Sequence, residues 1–541
     1  MSLHGAMAPR GRTLRWVSAM GAWALVGLLA VSCVPAGPPV EPPPPPPIPE
    51  LPPPSWTGTP ERERSPRALP GTEPGAPSAA PEPAREPSAV DGRSGRRADG
   101  PPVGAVPTGG APADQAGAPP LTRDVASPDD GETSVRALWI VRTALNHPDS
   151  ARMAVRRAHA AGFNTLLVQV RGRGDAWYRS GREPRGPTIS SQFPGYDPLA
   201  VVLDEARGLG LSVHAWLNTL LVGSAHRRHG DPLHTVNRRP EFLAVPRELA
   251  PRLFAMDPRS PAFVDALMAH AAANTDQVEG LYTSPVLAPV QDHLADVVAD
   301  LLLRYDVDGI HLDYIRLPNA DFDYGRAPLE AFRARLRGSR SPTDLRDAER
   351  AWQAGDVFAY TDAFPGDWAD FHRQGVTTVV ERIRGEIHRI APGIPLTAAV
   401  FANAQDAYTH RFQPWEEWLA LGLVDVVVPM NYTNLPHVFQ AGVDRALRAG
   451  GPHRVWMGVG VYNTTFEGAV EKSRMVRESG LSGLVLFSYD WAVGPEGQAA
   501  ARGDYLGLFS AQVFGAGTSA VRSAPRVPVA PASGRLDPEP Q

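Results

Sequence analysis

The stretch Tyr305-Asp306-Val307-Asp308-Gly309-Ile310-His311-Leu312-Asp313-Tyr314 decides the fold. A helical pattern, Val290–Tyr305, runs into the short apolar segment Val307–Leu312, which breaks off at a carboxylate. A helix feeding a nearly continuous apolar run is one unit of a buried parallel sheet. Working outward, the same kind of run recurs at Val135–Val141, Thr165–Val170, Leu211–Leu217, Ile394–Phe401, Val424–Met430, Val455–Val461 and Leu484–Ser488. Amphipathic helices fit between them at Ala151–Ala161, Leu199–Leu209, Phe371–Ile390 and Val470–Glu478. Eight units in about 380 residues predict an α/β fold, a single (β/α)8 TIM barrel. An open doubly wound sheet is the alternative, but it favours a Gly-rich first turn. Here the first strand runs into Arg142-Thr143-Ala144-Leu145-Asn146. Long insertions follow strand three (Asn218 to Pro289) and strand four (Arg316 to Pro392), and are expected to wall one rim.

The rest of the 541 residues reads differently. Of 58 prolines, 28 fall between Val34 and Asp130, in a stretch too poor in apolar surface to offset the entropy of ordering. The expected organisation is a leader over 1–33, a disordered Pro/Ala/Gly-rich tether over 34–132, the barrel over 133–514 and a disordered tail over 515–541. Arg10, Arg12 and Arg15 precede the apolar run Trp16–Val31, which reads as a signal peptide. Small residues before Cys33 resemble a bacterial lipobox, making Cys33 the expected lipidation site; an ordinary signal peptide with an incidental cysteine is the alternative. Fully extended, the tether would reach about 300 Å.

Residue counts exclude whole mechanisms. Cys33 is the only cysteine, which leaves no disulfide framework, cysteine metal site or Cys-His nucleophile for the barrel. Lys472 is the only lysine, on what reads as a polar helical stretch, and no Gly-Lys-Ser/Thr loop exists. Net charge −5 carries no nucleic-acid footprint.

In such barrels chemistry sits at the C-terminal ends of strands. Those ends carry Arg142; Gln169, Arg171, Arg173 and Asp175; Trp216 and Asn218; Asp313, Tyr314 and Arg316; Asn403 and Asp406; Asn431 and Tyr432; Tyr462 and Asn463; Tyr489, Asp490 and Trp491. Aromatic faces stack on sugar rings while amides and carboxylates hydrogen-bond to hydroxyls, so the rim reads as carbohydrate-directed.

Several segments resemble the glycosyl hydrolase-like family 10, a bacterial barrel family that includes cell-wall lipoproteins. They are Arg136-Ala137-Leu138-Trp139, Asn164 to Tyr178 with its Gln169-Val170-Arg171 and Gly174-Asp175-Ala176, Val213 to Asn218, Tyr305 to Tyr314, and Val428 to Tyr432. The resemblance implies a glycoside hydrolase of the cell envelope; the leader adds the expectation of a lipid anchor, and no metal or cofactor is expected. One branch of the family is thought to cut peptidoglycan glycan strands stripped of their stem peptides. Many members carry two successive aspartates where this chain has Asp313 followed by Tyr314, so one carboxylate transfers. The segment also resembles the catalytic strand of family 18 chitinases, but Ile315 stands where their glutamate would be.

Glycoside hydrolysis ordinarily takes two carboxyl groups. Asp313 is the first candidate, as nucleophile or stabiliser, against an N-cap or an ion pair with Arg316. Asp175 is its expected partner, against a purely local pairing with Arg171 or Arg173. Asp406 and Asp490 are alternative acid/base groups. Trp139, Gln169, Arg171, Trp216, Asn218, His311, Arg316, Asn431, Tyr432, Tyr489 and Trp491 are the expected substrate contacts, with barrel packing the alternative for Trp139 and Trp216. His226, His229, Asp231 and His234 read as a solvated loop rather than a metal site. The expected partner is a polysaccharide, and the expected location is the envelope, at the outer membrane or periplasm. A non-catalytic peptidoglycan-binding lipoprotein is the rival reading.

Overall fold

A computed structural model describes residues 135–494, 503–515 and 529. The expected leader with Cys33, the Pro-rich tether and nearly all of the tail lie outside the described residues.

Eight parallel strands close into a barrel: β1 (Val135–Ile140), β2 (Thr165–Arg171), β3 (Ser212–Asn218), β6 (Gly309–Asp313), β7 (Leu396–Phe401), β8 (Val426–Met430), β9 (Trp456–Gly460) and β10 (Gly483–Phe487). Each expected run carries a strand, and β1 closes the ring by pairing with both β2 and β10. The helices Pro148–Ala160, Pro198–Leu209, Ala288–Leu302, Pro365–Ile390, Trp415–Ala420, Pro436–Gly450 and Phe466–Glu478 connect successive barrel strands, and Tyr505–Val513 follows the last. Proline in the first turn of many of these helices gives up an N–H that has no helical partner there. Among the described residues, no helix is long and apolar enough to cross a membrane.

The barrel interior is a packed aromatic and aliphatic cluster that includes Ala137, Trp139, Leu167, Trp216, Val426, Val428, Trp456 and Val485. Glycines make room for its widest members. A Cβ on Gly483 would stand 2.0 Å from Trp456, and one on Gly309 would stand 2.5 Å from His214. Half of the Asp-Gly-Ile-His-x-Asp signature is therefore architectural. Gly309 clears His214, and Asp308 accepts a hydrogen bond from Val213 N at 2.8 Å. At the same end of the barrel, Asp425 binds Arg384 and accepts from Leu396 N.

Both expected insertions are present. The first includes a two-stranded antiparallel ribbon, β4 (Leu221–Gly223) with β5 (Leu281–Tyr282). It is tied to the end of β6 by Leu220 N donating to Tyr314 O at 3.1 Å. The second carries the helices Arg326–Ser339 and Arg346–Gln353 before the long helix that begins at Pro365. One expectation is corrected. Lys472 does not lie on a polar surface but is 1% exposed, because its helix turns it inward to donate to Thr433 O at 2.8 Å.

Candidate active site

Asp313 is the last residue of β6, level with Asn218 of β3, and its backbone oxygen accepts from Thr219 N at 2.7 Å. Its carboxylate accepts from Tyr314 N at 2.7 Å. Tyr314 is held at φ 49°, a left-handed conformation that costs a non-glycine residue about 1–3 kcal/mol and clusters at functional sites. Burial pushes the Asp313 carboxyl up to about 6, against the pull of Arg316 and the Tyr314 N–H. The Trp216 indole N–H lies near this carboxyl and closes no hydrogen bond with a protein atom.

Arg316 is a fixed cation beside it. The guanidinium pairs with Glu279 at 2.8 Å and lies over the rings of Tyr314 and Phe401, at 4.6 and 5.0 Å. Tyr282 Oη donates to Glu279 at 2.6 Å. Burial opposes ionisation of Glu279, but Arg316 and the Tyr282 hydroxyl outweigh it and hold the group below the usual carboxylate range. Glu279 and Tyr282 come from the ribbon insertion and its approach, so the ribbon completes the Asp313 surroundings.

The end of β2 forms the next wall. Gln169 accepts from Arg142 Nη1 at 2.8 Å and donates to Asn218 Oδ1 at 3.1 Å, linking three strand ends. A register shift between Gln169 and Arg171 then re-aims the chain. Arg171 is consequently buried, bidentate to Glu183 at 2.8 and 2.6 Å and bound to the Asn218 and Thr219 carbonyls. Arg173 faces the site instead. A Cβ on Gly172 would stand 2.6 Å from Arg142 Cδ, so the missing side chain lets Arg142 lie against this turn next to Arg173. Burial and the neighbouring Arg142 both disfavour the charge of Arg173, with Tyr314, Asp175 and Tyr282 opposing them. Asp175 Oδ1 accepts from Arg173 N at 2.8 Å, and its Oδ2 lies 3.9 Å from His229 Nε2. His229 stacks on His234 at 4.1 Å, and His234 Nε2 meets Arg173 O at 2.7 Å. These two histidines therefore buttress the Asp175 turn, which corrects the solvated-loop reading for them. Among the described residues, no group of three or more His, Cys, Asp or Glu could hold a metal ion.

The remaining expected contacts divide. Trp139 is 1% exposed and donates from Nε1 to His311 Nε2 at 3.2 Å; His311 Nδ1 meets Thr397 Oγ1 at 2.8 Å. An accepting Nε2 leaves the proton on Nδ1, and burial keeps this histidine neutral. Trp139 and His311 thus pack the barrel beneath the site, a correction to their reading as contacts. Asn431 is also internal, donating to Phe439 O at 2.9 Å. Tyr489 belongs to the core between barrel and helices rather than to the rim. Arg171 is a strut, and Arg316 is spent on Glu279. Asp490 accepts from Val141 N and Thr143 Oγ1, both at 3.0 Å, and pins β1 to the end of β10. Asp406 pairs with His410 and Arg411 on a half-exposed helix. Closest to Asp313 are Asn218, level with it and bound by Gln169, the Trp216 indole at the top of the interior cluster, and Tyr432, which feels its charge; Trp491 packs on Tyr462. Tyr432 stacks on Phe487 at 5.3 Å and keeps its buried hydroxyl without a protein partner.

Sequence reading missed Glu279, Glu183 and Tyr282. Glu279 and Tyr282 lie in the insertion after β3 and Glu183 in the connection from β2 to the helix Pro198–Leu209, all without strand-end periodicity, and only the surplus of arginines at the rim signalled that buried carboxylates must exist to meet them.

The profile of the family described as "Glycosyl hydrolase-like 10" matches residues 134–464. "Glycosyl hydrolase DigH" of Escherichia coli (strain K12) is 27% identical over 288 residues, which is 50% of this chain and 55% of that protein. "Glycosyl hydrolase YngK" of Bacillus subtilis (strain 168) is 20% identical over 336 residues, 56% of this chain and 55% of that one. The chain spans about half the length of these curated relatives. Among solved structures, the glycoside hydrolase domain of PgaB (BpsB) from Bordetella bronchiseptica aligns with a TM-score of 0.46 at 12% identity, over 69% of this chain and 99% of that one.

Proposed function

The chain belongs to the glycosyl hydrolase-like 10 family, and from that premise we propose that it is a glycoside hydrolase of the cell envelope in which Asp313 is the proton donor. The observation that carries this reading is the buried Asp313 carboxyl, pushed up to about 6 at the C-terminal end of a barrel strand. A carboxyl group kept protonated near neutral pH is what departure of a glycosidic oxygen requires. Asp313 gives its proton to that oxygen as the bond to the anomeric carbon breaks. Arg316, already charged, then stabilises the carboxylate left behind. Asp175 supplies the second carboxyl group, presented by its buttressed turn.

The substrate we propose is peptidoglycan glycan freed of its stem peptides. Removing the peptide leaves a carboxylate on each muramic acid, and Arg142 and Arg173 offer a cationic wall at the barrel mouth to receive it. Lipidation of Cys33, with the Pro-rich segment as tether, would hold the domain at the envelope, on the outer-membrane or periplasmic side; the N-terminal sequence supports this part.

The test is release of new reducing ends from purified, peptide-stripped glycan. The unsubstituted chain should release them and Asp313→Asn should not, while both bind the strands. Binding by both without new saccharide ends would instead establish a non-catalytic binding protein. Replacing Cys33 by alanine should move the protein from the membrane to the soluble envelope fraction.

A further inference from the structure

A second cavity opens beside the rim, between the segment after β8 and the start of the helix Phe466–Glu478. It is an open cleft of about 680 Å3, within the ~300–1,000 Å3 of small-molecule sites. Asn434, Tyr462, Asn463, Glu467, Glu471 and Lys472 are among its lining residues. Tyr462 joins it to the site already described. Its ring lies edge-on to Tyr432 at 5.8 Å and 5.9 Å from Trp491, and Tyr432 in turn feels the charge of Asp313.

Two buried polar groups here have bonding capacity left. An ammonium carries three donors, and Lys472 Nζ makes one hydrogen bond, to Thr433 O. Burial pushes this lysine down to about 8, with Glu471 opposing. Asn463 spends its Nδ2 on Tyr432 O, whereas its Oδ1 is buried with no protein partner. Buried polar atoms almost always find partners, so an orphan beside a cavity calls for a ligand or water group. An ammonium donor, an amide acceptor and an aromatic face complement one sugar ring bearing an acetamido group. The ring stacks on Tyr462, the acetamido carbonyl accepts from Lys472, and an N–H or O–H donates to Asn463. Glu471 is exposed on the helix at this mouth. Its negative field disfavours a carboxylate there, in contrast to Arg142 and Arg173 at the ends of β1 and β2.

We propose that this cavity is a subsite for an uncharged N-acetylated sugar unit of the glycan chain, away from the bond that is cleaved. The inference rests on the glycoside hydrolase reading and deepens it. The test is a binding measurement on the full chain carrying Asp313→Asn, titrated by calorimetry with N-acetylglucosamine oligomers of two and of five units. The five-unit oligomer should bind at least about tenfold more tightly than the two-unit one, and Lys472→Met or Tyr462→Ala should each erase most of that advantage. Equal affinity for the two oligomers, no binding of either, or an advantage that survives Tyr462→Ala overturns the subsite. Tyr462 is partly exposed, so its variant decides the matter where Lys472→Met does not fold. Glycan cleavage by the unsubstituted chain is followed separately. Cleavage without a length advantage removes the subsite alone, and a length advantage without cleavage removes only the hydrolase.

Discussion

The two flanks of the barrel mouth are built on opposite chemistry. On the β1–β2 flank, Arg142 and Arg173 crowd each other around a glycine, with Asp175 held in the turn that follows β2. On the β8–β10 flank, Tyr432, Phe487, Tyr462 and Trp491 form an aromatic shelf that leads to a glutamate-edged cavity. Asp313 stands between them. A polymer alternating acidic and uncharged amino sugars presents both chemistries to such a mouth at once. The contrast also separates two arginines only two residues apart. Arg171 is paired and sealed inside, so it serves the fold, whereas Arg173 has one face toward the site.

The sharpest way to break the comparison is to remove its centre. Asp313→Asn should lower kcat on peptide-stripped glycan by about 10²–10⁴-fold, the usual scale of general acid catalysis, measured as reducing ends per unit time. The two arginines should then part company. Glu183→Ala, which strands Arg171 without its carboxylate, should cost about 3–5 kcal/mol in denaturant unfolding. Arg173→Ala should leave unfolding nearly unchanged and raise KM for peptide-stripped glycan about 10–100-fold, the loss of a charge-assisted contact. Amidating the glycan carboxylates should reproduce that rise in the unsubstituted protein and add nothing to the variant.

The pH response sharpens the role of Asp313. As the essential acid it must be protonated, so kcat should fall as pH rises through about 6; a fall on the acid side of 6 instead would make it the nucleophile. Stability follows with a worked sign. Against an ordinary aspartate near ~3.9 in the unfolded chain, the folded state binds the extra proton between that value and about 6. Its stability therefore decreases as pH rises through that window. Asp313→Asn should abolish the dependence and be more stable at pH 7 by on the order of 3 kcal/mol.

The barrel was legible because each of its strands is buried on both faces and reads as an apolar run between helices. Asp313 was legible because it stops such a run. Position at a strand end misled at Arg171, since the shift beside Gln169 turns the chain there. At Trp139 the packing alternative holds, and His311 joins it, since residues pointing into a barrel pack against one another below the level at which they meet a ligand.

By itself, the sequence determined the eight-unit parallel architecture, the exclusion of thiol and P-loop chemistry from the barrel, and the strand end where a carboxylate faces the mouth. These follow from periodicity and residue type, which are local properties. Tertiary structure decided which arginine is spent on Glu183 or Glu279 and which is left facing the mouth. It also decided that burial outweighs Arg316 at Asp313, and that the chain's only lysine turns inward to a cavity. Charge, burial and hydrogen-bond supply depend on partners distant in sequence, and the balance among them exists only once the barrel has closed.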